Sequence, residues 1–210
     1  MFIGIFSAAN VVTLLGLTSA TISCFLAAQG NIKFSIVMLL LSALCDSMDG
    51  MIARQNKNRT QRDIVYGIQL DSLCDVISFG FTPCYIAYHV GFNGVFDLII
   101  FIAFIMCGAI RLAYYNTLAL DKTDNKPVKY FHGLPIPASS VVMPIIVLLM
   151  TFIPHSVTTW LFRLTFIVVA ALYVLNVKIK KPSIKTIAII GIAQFLVVIV
   201  LYAAGDVIIA

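Results

Sequence analysis

The sequence contains no glutamate: all nine of its acidic residues are aspartates. It is poor in charge altogether, with Asp, Glu, Lys and Arg at 11%, against about 25% in an average soluble domain. Hydrophobic residues make up 61% of the 210 positions, and no water-soluble core of this size could hide that excess. The shortage of charge therefore excludes an ordinary soluble domain and makes the bilayer the solvent for much of the surface. Low-complexity tracts and a separate soluble domain are also absent, so the expectation is one integral membrane domain over residues 1–210. The N-terminus lacks the basic stretch that opens a secretory signal, so residues 1–25 are read as part of the working chain. Five cysteines (Cys24, Cys45, Cys74, Cys84 and Cys107) are scattered, odd in number and mostly inside apolar runs. That excludes a disulfide framework and a thiolate metal site.

What is there is a series of long apolar runs. A spanning helix needs about 20 predominantly apolar residues, and seven segments meet or approach that length: about 11–29, 34–54, 69–90, 95–116, 136–153, 158–177 and 184–205. The expected fold is an all-α polytopic transmembrane bundle. A six-span count is the alternative, because Pro154 and His155 leave only a tight turn between the fifth and sixth segments. The bases decide orientation. Lys57, Arg59 and Arg62 follow the second span, Lys122, Lys126 and Lys129 the fourth, and Lys178, Lys180, Lys181 and Lys185 the sixth. All ten fall in loops on one side, and Lys33 is the only base in a loop on the other. By the positive-inside rule the basic side and the N-terminus are cytoplasmic. The seven-span count puts the C-terminus outside, with Gly205 and Asp206 at the far interface. No nucleic-acid partner is expected; the lysines near 178–185 set topology or attract anionic lipid.

Four of the nine aspartates sit in or at the ends of apolar helices: Asp46 and Asp49 late in the second span, Asp71 and Asp75 early in the third. One charge at the centre of a spanning helix costs roughly 2.5–3.5 kcal/mol, so four need partners. Asp46, Asp49, Gly50 and Ala53 are spaced to share one helical face, and Gly67, Asp71, Asp75 and Ser78 share another. The two helices are antiparallel about the loop 55–66, which lets both faces converge at one depth. Arg54 is the only base within reach of either face by sequence. Four carboxylates balance two divalent cations charge for charge, and oxygen-only ligation suits Mg²⁺, Mn²⁺ or Ca²⁺, not zinc. Such metal pairs clamp the attacking and leaving oxygens in phosphoryl-group displacement.

The small residues Gly50, Ala53 and Gly67 admit a phosphate close to the backbone; tight helix packing in lipid is the plainer explanation for each alone. Beside four aspartates and Arg54 they have the look of a pyrophosphate cradle. Helix caps explain one aspartate but not four at this spacing. A cation or proton pathway accounts for the carboxylates but not for their clustering near one face, and a transporter should place charge at the midplane and show related halves.

The pattern Asp46-x2-Asp49-Gly50-x2-Ala53-Arg54…Gly67-x3-Asp71-x3-Asp75 resembles the signature of the CDP-alcohol phosphotransferases. The twelve residues between Arg54 and Gly67 exceed the family's usual spacing; they are polar and basic and fall in a loop, where insertion is tolerated. Asp71–Gly80 followed by Pro83, then Arg111–Asn116 and Phe131–Ala138, resemble the branch that makes phosphatidylserine. Asn10 and Thr13 also resemble family positions. The resemblance runs from about residue 10 to 140.

It implies a two-metal enzyme using Mg²⁺ or Mn²⁺, with Ca²⁺ as the alternative, that transfers the phosphatidyl group of CDP-diacylglycerol to L-serine, in a homodimer. It implies Asp46, Asp49 and Asp71 as metal ligands, with Asp75 as general base and a contributor to the second ion. Gly50, Ala53, Arg54, Gly67, Asn10 and Thr13 would bind the donor. Arg111, near the cytoplasmic end of the fourth span, is placed to bind the serine carboxylate or the donor phosphate, with Asn116, Ser78 and Pro135 near the acceptor; a snorkelling arginine is the alternative. The loop 131–138 is a candidate acceptor lid or a plain turn. Sister transferases acting on glycerol 3-phosphate or inositol phosphate share the carboxylates but would call for more bases inside the site.

Overall fold

In a computed structural model of the chain, residues 3–56, 59–120, 130–180 and 184–203 are described. Lys57, Lys122, Lys126, Lys129, Lys181, Gly205 and Asp206 lie outside the described residues. Helix α1 (Ala8–Ala28) and helix α2 (Ile32–Gln55) form a tight hairpin. Serine makes the close approach possible, because its hydroxyl can bond a facing backbone in lipid. Ser23 Oγ donates to the Ser35 carbonyl at 2.7 Å, Ser35 Oγ returns to the Ser23 carbonyl at 2.8 Å, and Ser19 Oγ donates to the Met38 carbonyl at 2.7 Å.

The third span is one continuous helix with a change of pitch. Helix α3 (Gln61–Asp75) passes through a π-helical turn (Val76–Phe81) into helix α4 (Thr82–His89). Its start lies ahead of the expected residue 69, because Thr60 and Asp63 form a reciprocal capping box that fixes the first turn among polar residues. The wide turn has a local cause. Pro83 has no N–H for the Phe79 carbonyl one α-turn back, and Ser139 Oγ donates to that carbonyl instead, at 2.7 Å. The Thr82 N–H bonds five residues back to Ile77, the π register.

Helix α5 (Val95–Leu120) packs on helix α7 (His155–Val174) through an aromatic column. Phe92 stacks on Phe162 with centroids 3.8 Å apart, and Phe104 meets both Phe166 and Tyr173. Helix α6 (Ala138–Met150) and helix α8 (Ile184–Ala203) complete the bundle. Five helices are long and apolar enough to cross a membrane, and Ala138–Met150 and Ile189–Ala203 are shorter apolar stretches. These seven occupy the seven expected places, as in an integral membrane protein. The fifth is the short one: the 13 residues of α6 extend only about 20 Å, with Pro144 inside.

One feature departs from a purely helical chain. Strand β1 (Tyr130–His132) pairs antiparallel with strand β2 (Lys178–Lys180), Phe131 opposite Ile179. This ribbon ties the loop after α5 to the loop after α7. The same end of the bundle holds the start of α1 and the α2–α3 connection, since Asn10 lies against Gly67 and Ser72 Oγ donates to Asn116 Oδ1 at 2.9 Å. Among the described residues, the start of α1, the α2–α3 connection, the end of α5 and the ribbon therefore gather at one end, and the short turns 29–31, 90–94 and 151–154 at the other.

Candidate active site

Near the polar end, α1, α2 and α3 enclose a small cleft lined by Thr13, Gly16, Ser42, Asp46, Asp49, Asp71, Asp75 and Ser78 among others. It contains all four aspartates singled out by spacing. Oxygens of Asp46, Asp49 and Asp71 all lie within 4.8 Å of one another. Asp75 stands outside that trio but its side chain is in hydrogen-bonding contact with Asp46. The convergence follows from the hairpin: carboxylates three and four residues apart on two antiparallel helices meet where the faces meet.

The local bonding leaves room for a cation. Thr13 Oγ1 donates to Asp49 Oδ2 at 2.5 Å, which fixes that carboxylate from α1. Asp71 Oδ1 is buried and has no hydrogen-bond partner. A buried carboxylate oxygen left without a donor is costly, and two carboxylates in contact need a cation or a shared proton between them. The space in this partly open cleft, about 10 Å³, is the room of one water molecule or one bare ion. The residues thus fit a hard divalent cation on an orphaned atom, oxygen-only donors and size together.

Around this centre the other candidates divide. Asn10, itself buried, turns its Oδ1 toward Gly67, 3.5 Å from where a methyl on that glycine would stand. Arg54 folds back over Gly50, its Nη1 3.4 Å from the corresponding point, and Ala53 lies on the same last turn of α2. Ser78 lines the cleft beside Asp75. Arg111 is only 8% exposed, its guanidinium lies 4.5 Å from the centre of the Tyr115 ring, and its Nε is buried without a partner. Asn116 is engaged by Ser72, and Pro135 is not among the residues that line the cleft.

The loop after β1 is fastened down, which fits a fixed turn better than a lid. Gly133 N–H donates to the Val177 carbonyl at 2.8 Å and Leu134 N–H to the Leu172 carbonyl at 3.0 Å. Gly133 has φ +78°, and a methyl there would meet the Leu172 carbonyl oxygen at 2.9 Å. Arg54 is also not the only base near the acidic helices. Arg59 reaches both of them, and spacing could not reveal this because the chain between the helices has no period.

A family model described as CDP-alcohol phosphatidyltransferase matches residues 6–175. That reaches well past residue 140, through α7. A protein of Saccharomyces cerevisiae named CDP-diacylglycerol–serine O-phosphatidyltransferase is 41% identical over 105 residues, covering 48% of this chain and 36% of its own length. Proteins of the same name from Helicobacter pylori and Methanocaldococcus jannaschii are 35% identical over 142 residues and 41% identical over 109. The first match covers 67% of this chain and 56% of the relative, the second 52% and 48%. The chain therefore spans between about a third and somewhat over half of the length of these relatives. No solved structure matches the chain.

Proposed function

We propose that this chain, which belongs to the CDP-alcohol phosphatidyltransferase family, transfers the phosphatidyl group of CDP-diacylglycerol to the hydroxyl of L-serine and releases CMP. The observation that carries the reading is the meeting of the Asp46, Asp49 and Asp71 oxygens within 4.8 Å, with Asp71 Oδ1 buried and unpartnered. Asp46, Asp49 and Asp71 would hold a divalent cation, Mg²⁺ or Mn²⁺ with Ca²⁺ also chemically suited, and Asp75 would complete a second site. Such a cation, when bound, neutralises pyrophosphate charge and favours departure of the nucleotide.

The chain's own groups supply the rest. Thr13 keeps one Asp49 oxygen turned, so the carboxylate presents its other oxygen to the cleft. Asp75 takes the proton from the serine hydroxyl. The serine oxygen then forms the new bond to the phosphorus that carries diacylglycerol, the bond from that phosphorus to the CMP oxygen breaks, and CMP leaves. Arg54 holds donor phosphate as a forked cation. Arg111, whose buried Nε has no partner, receives the serine carboxylate, with Ser78 beside Asp75 on the acceptor's path. Most of the acceleration comes from positioning and electrostatics.

Serine is favoured over phosphorylated alcohols on charge. Arg111 is the buried arginine among the described residues, enough for one carboxylate and sparse for a phosphate dianion. The relatives named as serine transferases agree with that choice. We place the site and the N-terminus on the cytoplasmic face of a prokaryotic plasma membrane, where the basic loops would lie, and expect a homodimer. The test offers purified protein CDP-diacylglycerol and Mg²⁺ or Mn²⁺ with labelled serine, glycerol 3-phosphate or inositol phosphate in turn. Serine-dependent CMP release, abolished by chelation, is the expected result; release driven by either phosphate acceptor instead sinks the serine assignment.

A further inference from the structure

The connection between α2 and α3 brings an arginine over the backbone of Gly67, on the acidic face of α3. Gly67 precedes Asp71 by one helical turn, about 6 Å toward the polar end. A methyl on Gly67 would lie 3.0 Å from Arg59 Nη2 and 3.5 Å from Asn10 Oδ1. The same guanidinium donates from Nη1 to the Ala53 carbonyl at 3.3 Å, on the last turn of α2. Arg59 thus spans the ends of both acidic helices across bare glycine backbone. The next residue anchors it: Thr60 N–H donates to Asp63 Oδ2 at 2.9 Å, and the Thr60 hydroxyl accepts from the Asp63 N–H at 3.2 Å. Each motif glycine then faces one guanidinium, Gly50 facing Arg54 and Gly67 facing Arg59.

We infer that Arg59 is a second phosphate-binding residue that holds the CMP half of the donor opposite Arg54. The inference rests on the donor proposed above. The donor's acyl chains remain among apolar helices, so its charged nucleotide must leave the cleft toward the polar end. One turn beyond Asp71 that route meets the Gly67 backbone, Asn10 and Arg59. A guanidinium has five N–H donors in a planar fork that matches phosphate, and Arg59 uses one of them in a long bond to a carbonyl. A residue at Gly67 with a side chain would fill the space where the fork and a phosphate meet. The lengthened 55–66 segment acquires a use here, since it supplies the arginine that lies over Gly67.

The test measures binding of CMP and of CDP-diacylglycerol to the full chain in detergent with Mg²⁺, alongside KM values from CMP release. Arg59→Ala should weaken both binding constants and raise the donor KM about tenfold, leaving kcat and the serine KM within about twofold. Arg59→Lys should recover part of the loss, keeping charge but not the fork. Arg62→Ala removes the same charge from the exposed first turn of α3 and should leave binding unchanged, which separates contact from general attraction. A melting temperature lowered by Arg59→Ala with CMP binding intact would reduce Arg59 to a cap on α2 and overturn the inference. Wild-type protein that binds neither CMP nor CDP-diacylglycerol overturns the donor reading itself, a different and recognisable failure.

Discussion

The two ends of this bundle both bury aspartate in apolar helices and treat it in opposite ways. At the end with short turns, Asp97 of α5 is 2% exposed and meets Arg163 of α7. Arg163 Nε donates to Oδ1 at 2.7 Å and Nη2 to Oδ2 at 3.1 Å, and the Gly94 N–H adds a third bond at 3.2 Å. At the other end three carboxylates converge on one another, a fourth touches them, and Asp71 keeps an unpartnered oxygen. The first arrangement is finished: its charge is balanced and its lone pairs are taken. The second is balanced only when something positive enters. Burial of an aspartate in a membrane helix is common to both, so burial alone does not distinguish a clamp from a site; the partner does.

Substitutions that exchange or erase this contrast should therefore separate activity from stability. The largest effect is expected from Asp71→Asn, which removes charge from the unpartnered position. Serine-dependent CMP release should fall on the order of a thousandfold, while the melting temperature in detergent stays level or rises because an uncompensated charge has gone. A fall in melting temperature with activity retained would place Asp71 in the same class as Asp97.

Asp97→Asn should give the reverse. Removing the charged acceptor from this half-buried pair costs about 1.5–3 kcal/mol, read as a lower melting temperature, with kcat per folded molecule little changed. Replacing both partners, Asp97→Leu with Arg163→Met, should recover most of that loss, since an apolar pair of similar volume is often neutral. The smallest effect belongs to Thr13→Ala. It removes the hydroxyl that donates to Asp49, a charge-assisted bond of about 1.5–3 kcal/mol. The expected outcome is a rise of roughly tenfold in the Mg²⁺ concentration for half-maximal activity, with Thr13→Ser close to wild type.

Much of the site was visible in one dimension because helices translate spacing into faces. Asp46 with Asp49 and Asp71 with Asp75 needed only helical periodicity and an antiparallel turn to be brought together. The span positions were legible for a similar reason: apolar length is a local property, and the bilayer sets the length required. Pro154 and His155 made the fifth and sixth segments the least secure by sequence; α6 is the short helix, while α7 is long enough to cross a membrane.

Other features needed the packed chain. The contact of Arg59 with Gly67 arises in a connection with no period to read. The partner of Asp97 sits 66 residues away, two helices further on. Asn116, grouped by motif with the acceptor, is instead bonded to Ser72. The loop at 131–138, rich in glycine and proline like many lids, is held to the end of α7 through backbone carbonyls.

The sequence by itself therefore determined the medium, the helices and the face on which each aspartate lies, since these follow from composition and from periods of three and four residues. Tertiary structure alone decided which charges are paired, which oxygen remains without a donor, and which arginine lies over Gly67. These are distances between helices, and side-chain bonding depends on a neighbour's position to within about half an ångström, far finer than any spacing along the chain can specify.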